Sequence, residues 1–268
     1  MPDDSSHSLT AHALAQLELA LQAGKSGTLR RLLGAMARFH DYSASNVMLI
    51  HSQRPDSTQV AGFNTWRKLG RFVKKGERGI VIYAPIRSKR DAAASPDEET
   101  VRFRAVRVFD ISQTDGENLP EPAPVTGDPC DQLQRLREVI AAYGVTVEHA
   151  ALRPGHHGSS TGGHIIIASG LSAAEEFATL VHEFAHELMH QRGDRPSSKT
   201  VRETEAEAVA FVVGHVIGLD IEDASRDYIQ LYDGNAETLS ASLSRIQKTS
   251  REIVNALLQP QTALATAA

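Results

Sequence analysis

In the segment TLVHEFAHELMHQ, residues 179–191, a histidine stands at every fourth position, His182, His186 and His190, and Glu183 follows the first. On a helix of ~3.6 residues per turn His182 and His186 share one face, so both rings can reach a single ion. Glu183 is turned about 100° from His182, where it can hold a water beside that ion rather than bind the ion. This H-E-x-x-H spacing is that of zinc peptidases. The competing reading is a surface helix whose histidines share a face by chance. His190 lies about 12 Å along the axis from His182, too far for one ion to touch all three rings. That makes it a packing or supporting residue and leaves a third ligand to be found.

The next helical segment, TVRETEAEAVAFVVGHVIGL, carries Glu203, Glu205 and Glu207. With ~100° of rotation per residue, Val209, Val212, Val213, Val216 and Leu219 all fall within about 80° of Glu205. Glu205 therefore sits in the middle of the apolar face, and Glu203 and Glu207 point about 160° away. Glu203 is expected to complete a capping box with Thr200, and Glu207 to be a solvated charge. A carboxylate on a buried face is costly unless paired or bound to metal. Glu205 is thus either half of a buried salt bridge or a third ligand, and the second reading completes a His2Glu zinc site with a position open for water. With Zn2+ as Lewis acid, Glu183 would take the proton of the attacking water and pass it to the leaving amine of a protein substrate.

These side chains need a scaffold, and the sequence supplies one. Ser172 with Glu175 matches a capping box opening a helix over 172–191, and a second helix is expected over 200–218. CDQLQRLREVIAAYG reads as an amphipathic helix ending at Gly144, VTVEHA and HIIIAS as strands, and Leu239, Leu243, Ile246, Ile253 and Leu257 as one face of a long C-terminal helix. The loop RPGHHGSSTGGHIII holds His156, His157 and His164, which are either solvated or border the site. Tyr228 and Tyr232 are taken as core rather than as oxyanion donors. Cys130, the only cysteine, excludes an internal disulfide and a cysteine zinc cage, and stands too much alone to be a nucleophile.

The N-terminal half differs in composition. Residues 1–127 carry 17 Lys/Arg against 14 Asp/Glu, whereas residues 128–268 carry 11 against 19, which suggests two domains with different partners. Leu14, Leu17 and Leu21, then Leu29, Leu32, Leu33, Met36 and Phe39, have helical spacing, as do SASNVMLIHSQ and FNTWRKLG; GIVIYAPI and VRFRAVRVFDI read as strands. KKGERG has the composition of a hairpin turn. Around it Trp66, Arg67, Lys68, Arg71, Lys74, Lys75 and Arg78, continued by Arg87, Lys89 and Arg90, alternate with Phe63, Phe72 and Tyr83. A positive groove with stacking aromatics suits single-stranded DNA, since every base has a π-face. The alternative is a solvated basic face with Phe63 and Trp66 in the core.

The expected organisation is α+β in two domains: an α+β nucleic-acid-binding domain at 1–114 with a polar loop at 88–100, a Pro-rich linker at 115–129, a metallopeptidase domain at 130–258, and a disordered tail at 259–268. No apolar run approaches the ~20 residues that span a bilayer, and MPDDSSHSL lacks the apolar core of a signal peptide, so no membrane partner and a cytoplasmic location are expected.

SASNVMLIHSQRPDSTQVAGFNTWRKLGRFVKKGERGIVIYAPI followed by VRVFDISQTDGE resembles the N-terminal, single-stranded-DNA-binding domain of the ArdC antirestriction family of plasmids and phages. FATLVHEFAHELMHQRG with ETEAEAVAF resembles the zincin-like metallopeptidase domain of ArdC and of the ImmA/IrrE family. The resemblance covers about residues 10–220, in the family's domain order. It implies a protein of mobile DNA that counters restriction, with His182, His186 and Glu205 as metal ligands and Glu183 as catalytic base. IrrE-like relatives cleave repressor proteins, so a regulatory metallopeptidase is the alternative that the resemblance itself raises.

Overall fold

The computed structural model describes residues 4–22, 26–86, 102–117, 129–153, 155–191, 196, 198–219 and 236–259. The loop at 88–100, Arg87, Lys89 and Arg90, linker residues 118–128, Tyr228 and Tyr232, and the tail from 260 lie outside them. No helix among the described residues is long and apolar enough to cross a membrane. The chain forms two compact units, Met1–Ala15 with Ser45–Pro120, and Gln16–Ala44 with Glu121–Ala268. Helix α1 (Asp4–Gln22) spans that division.

The first unit is α+β. Helix α3 (Ala44–Gln53) leads to β1 (Val60–Gly62), α4 (Phe63–Lys68), β2 (Arg71–Val73), β3 (Ile80–Ile86), β4 (Arg102–Asp110) and β5 (Thr114–Gly116). One antiparallel sheet has the order β1-β4-β3, and β2 pairs antiparallel with β5. Alternation along the strands sends Ile80, Ile82 and Val108 inward, all buried, and leaves Phe103 and Arg107 on the outer face. Strand β3 lies at the sheet edge, where unpaired backbone groups need cover. Helix α3 provides it: the Gln53 amide bonds both N and O of Val81, and the Asn46 amide bonds both N and O of Tyr83, each at 2.9 Å. KKGERG does not close a hairpin, because the strands it joins, β2 and β3, belong to different sheets. Pairing also runs past the expected domain end at 114: Asp115 and Gly116 belong to β5.

The second unit contains α2 (Ser26–Arg38), α5 (Cys130–Ala142), β6 (Thr146–Ala150), β7 (Gly158–Ser160), β8 (His164–Ala168), α6 (Ala173–His190), α7 (Lys199–Val216) and α8 (Ala236–Leu258). Its sheet has the order β6-β8-β7, with β6 parallel and β7 antiparallel to β8. Helix α6 packs against the sheet, α5 and α7, and α7 packs in turn against α2 and α8. The expected boundaries put α2 in the N-terminal domain. Its apolar stripe of Leu29, Leu32, Leu33 and Met36 is buried, and the helix packs on α7, which places it in this unit instead. Gln247 of α8 fixes the end of α2 by donating to the carbonyls of Phe39, His40 and Tyr42.

Candidate metal centre

The capping box read from Ser172 and Glu175 opens α6, the Ser172 hydroxyl accepting from Glu175 N and the Glu175 carboxylate from Ser172 N. From that start the helix buries Phe177, Leu180, Val181 and Phe184 and presents His182 and His186 together at a cleft of about 850 Å³. Their Nε2 atoms are 3.1 Å apart. Helix α7 begins earlier than the sequence suggests: Ser198, not Thr200, is its N-cap, accepting from Val201 N. Glu203 is therefore free of a capping role and turns toward α6. Its Oε2 lies 3.5 Å from Nε2 of both His182 and His186.

Those three atoms form a triangle with edges of 3.1, 3.5 and 3.5 Å. Ligands about 2.0–2.1 Å from a tetrahedral ion are about 3.3 Å from one another, so the triangle has the size of one face of such a site. Among the described residues, His182, His186 and Glu203 are the group that could hold a metal ion. The expectation that Glu205 would be the third ligand is not met. Glu205 is fully buried on the opposite side of α7, where Arg245 Nε lies 3.1 and 3.2 Å from its two oxygens, Arg245 Nη2 bonds Oε1, Ser242 Oγ donates to Oε1 at 2.5 Å, and His190 Nε2 approaches Oε2 at 2.9 Å. The apolar face did mark a carboxylate that needs a partner, but the partner is the Arg245 cation on α8.

Glu207, expected in solvent, lies one turn beyond Glu203 and meets His182 Nδ1 at 3.1 Å. That contact orients the ring so that Nε2 faces Glu203. The signal for both residues is present in the sequence: Glu203 and Glu207 are four apart on α7, as His182 and His186 are on α6, so two i,i+4 pairs face each other. Burial opposes charging the His182 ring, but Glu203 and Glu207 outweigh it and lift its pKa to about 9. The His182 and His186 rings hold the Glu203 carboxyl far below the usual carboxylate range, against the effect of burial.

Glu183 lines the same cleft, buried to 7% exposure. Burial raises its pKa, with His182 and His186 opposing. Strand β7, whose residues fall in a segment that reads as loop, runs beside it. A Cβ at Gly158 would lie 2.8 Å from Thr179 Cγ2 and 3.0 Å from Glu183 Oε1, so only glycine lets this strand approach so closely. The β7–β8 turn is tied down by Glu187, whose carboxylate accepts from Gly162 N at 2.8 Å and Gly163 N at 2.7 Å, both glycines having positive φ. His156 and His157 border the cleft, whereas His164 is bonded to Thr146 Oγ1.

In the first unit the expected DNA-contacting residues separate into two groups. Trp66 is 2% exposed and donates from Nε1 to Phe109 O at 2.8 Å, and Arg71 is buried, its guanidinium bonded to Thr114 Oγ1 and the carbonyls of Thr114, Gly116 and Glu117. Both hold the fold together and are unavailable to a ligand. Arg67, Lys68, Lys74, Lys75 and Arg78 are exposed, with Lys74 also reaching Ser112 O and Asp115. The exposed aromatic rings are Phe63 (49%), Phe72 (60%) and Phe103 (65%). Phe63 meets Phe109 edge-on at 6.5 Å, and Phe103, Arg107 and Phe109 alternate on the outer face of β4, with Arg104 exposed on the other side of the strand. The side chain of Arg102 lies outside the described residues.

Residues 8–110 match the family model of the N-terminal domain of anti-restriction factor ArdC. The whole chain superimposes on two crystal structures of the antirestriction protein ArdC from plasmid R388. The Mn(II)-bound one gives a TM-score of 0.59 at 18% identity over 97% of this chain and 99% of that one; the metal-free one gives 0.57 at 19% over 95% and 97%. This likeness establishes that the chain has the ArdC fold. In sequence it is 23% identical to an uncharacterized protein of Bacillus anthracis over 84% of this chain and 47% of that protein. It is 24% identical to the DNA primase TraC of Escherichia coli over 66% of this chain and 14% of the primase. The chain thus spans about half of the first relative and a small part of the second.

Proposed function

We propose that the protein is an antirestriction factor of the ArdC type, in which the first unit binds single-stranded DNA and the second is a metal-dependent peptidase acting in the cytoplasm. The observation that carries the peptidase reading is the triangle of His182 Nε2, His186 Nε2 and Glu203 Oε2, sized for one divalent ion. Two imidazoles and a carboxylate suit zinc or manganese, and the Mn(II)-bound state of a solved ArdC protein of the same fold supports a divalent ion. Such an ion would supply a Lewis acid for a scissile carbonyl.

The remaining chemistry belongs to this chain. Glu183, which lines the cleft beside both histidines, takes the proton of the attacking water and hands it to the leaving amine. Glu207 fixes the His182 ring, and the buried wall of α6 limits water around Glu183. In the first unit, Phe63, Phe72 and Phe103 offer rings for unpaired bases and the exposed cations offer charge to phosphates. The match of residues 8–110 to the ArdC N-terminal domain supports that assignment.

Metal content and peptide cleavage of the purified chain test the peptidase reading. Glu183→Gln should keep one metal per chain and lose cleavage of a casein or repressor-type substrate. Near wild-type cleavage by that variant would remove Glu183 from the mechanism.

A further inference from the structure

We propose that His190 and Glu205 are positioning residues for the metal centre: a buried hydrogen-bond relay runs from His186 Nδ1 through the His190 ring to Glu205 and Arg245, and fixes which nitrogen of His186 faces the ion. The inference rests on His182, His186 and Glu203 being the ligands. His186 Nε2 points into the triangle, so a ligating His186 must keep its proton on Nδ1. That Nδ1 lies 2.8 Å from His190 Nδ1, which must therefore accept. A neutral His190 ring that accepts at Nδ1 carries its proton on Nε2, and that atom lies 2.9 Å from Glu205 Oε2, a carboxylate oxygen able only to accept.

Each link in the chain thus has one permitted direction. With the opposite His190 tautomer, two N–H groups would meet at the His186 end and a lone pair would face a carboxylate at the other. The His190–Glu205 link is buried, with Glu205 fully enclosed, so its direction is set by the protein groups alone. The far end is equally fixed, because Arg245 and Ser242 hold the Glu205 carboxylate and the guanidinium balances its charge. The two histidine ligands therefore have different supports. His182 rests directly on the carboxylate of Glu207, and His186 rests on Glu205 through a second ring. The third histidine at four-residue spacing, too distant to ligate, has its place here.

The test uses the full chain and Zn2+. Zinc affinity, by competition with a chromophoric chelator, should fall about 10- to 100-fold in His190→Phe, which removes both links, and in Glu205→Gln, whose amide would offer an N–H to His190 Nε2 when its oxygen stays on Arg245. His190→Asn, which restores an acceptor near His186 Nδ1, should recover part of the loss. A purely structural role would lower the unfolding temperature of the metal-free variants and leave zinc affinity unchanged, and that result would overturn the relay. Imidazole 1H–15N correlation spectra of the zinc-loaded wild type need no variant: His190 should be neutral with its proton on Nε2, and a proton on Nδ1 would overturn the relay as well. His182→Ala separates the two readings. If it binds zinc like the wild type, the metal centre itself is wrong; if it loses zinc while His190→Phe binds normally, only the relay is.

Discussion

Around the candidate metal centre the decisive polar groups are inside the protein, and each is held by a partner on another element: Glu205 by Arg245 of α8, His190 by Glu205 of α7, Glu187 by the backbone of the β7–β8 turn. In the first unit most cations face solvent, and the rings nearest them in sequence that reach the surface are Phe63 and Phe72. A buried charge without its partner is costly, so the geometry of the second unit is fixed before any ligand arrives. A solvated lysine is fixed by nothing and suits a polymer whose phosphates it meets at variable spacing. Under the proposed function, the first arrangement would serve a single small ion and the second an extended, sequence-tolerant partner.

The largest effect that could break this comparison is on metal loading. At saturating zinc the wild type should carry one ion per chain, and His182→Ala and Glu203→Ala should carry almost none. Glu205→Ala should still load an ion under the same conditions and lose stability instead, because Arg245 and His190 are left facing a cavity. Metal analysis of the three variants decides. A Glu205→Ala protein without metal beside a Glu203→Ala protein with it would restore the assignment drawn from the apolar face of the helix.

The exchange of Glu205 for Glu203 shows what is legible in the sequence. The existence and type of α5, α6, α7 and α8, the capping box at Ser172 and the pair His182 and His186 are all readable, because each depends on residues within a few turns of one helix. The choice between Glu203 and Glu205 depends on which neighbour covers which face of α7. The apolar face is covered by α2 and α8, and the cation that satisfies Glu205 is forty positions away in the chain, so helix rotation alone points to a carboxylate that is already paired. Strand β7 has only three residues, Gly158–Ser160, two of them serines, and carries no hydrophobic signal. In the first unit the basic residues can be counted, but Trp66 faces inward because α4 packs on β4, where its Nε1 meets Phe109 O, and Phe72 faces outward on β2, whose pairing with β5 no periodicity announces.

The next effects are on stability, and they divide the units. Trp66→Ala empties a fully enclosed site and should cost about 3–5 kcal/mol, while Phe72→Ala, on the surface, should stay within about 0.5 kcal/mol. Arg245→Met should cost about 3 kcal/mol in the second unit by leaving the Glu205 charge short of its cation. Urea unfolding measures all three. A Phe72→Ala loss as large as that of Trp66→Ala would mean that Phe72 is core and unavailable for stacking.

Smaller still is the effect of Phe72 and Phe103 on DNA. Replacing either by alanine should weaken single-stranded binding by about 1–3 kcal/mol and change duplex binding less, since stacking needs unpaired bases. Lys74→Glu with Lys75→Glu should instead flatten the salt dependence, by roughly 0.7 in slope for each phosphate no longer neutralised. Equal weakening on single strands and duplex for the phenylalanine variants would exclude stacking and leave only a charged surface.

The finest test concerns Asp110, a buried carboxyl of the first unit. Burial acts against its ionisation, but the Ser112 hydroxyl and the backbone N–H groups of Ser112, Thr58 and Gln59 outweigh it and lower its pKa from 3.8. A carboxyl with a depressed folded-state pKa contributes stability that is fully present above its unfolded value and is lost as pH falls through the folded one. The Asp110 contribution to this unit should therefore be constant near neutral pH and should decline only below about pH 3.8. Trp66 is the chain's one tryptophan and lies in this unit, so its fluorescence in urea reports the unit separately from the metal centre. Asp110→Asn should lower that stability at neutral pH by about 1–3 kcal/mol, because the amide nitrogen cannot accept from Thr58 and Gln59, and should make the acid decline shallower. An acid decline as steep in Asp110→Asn as in the wild type would assign it to other carboxylates of the unit.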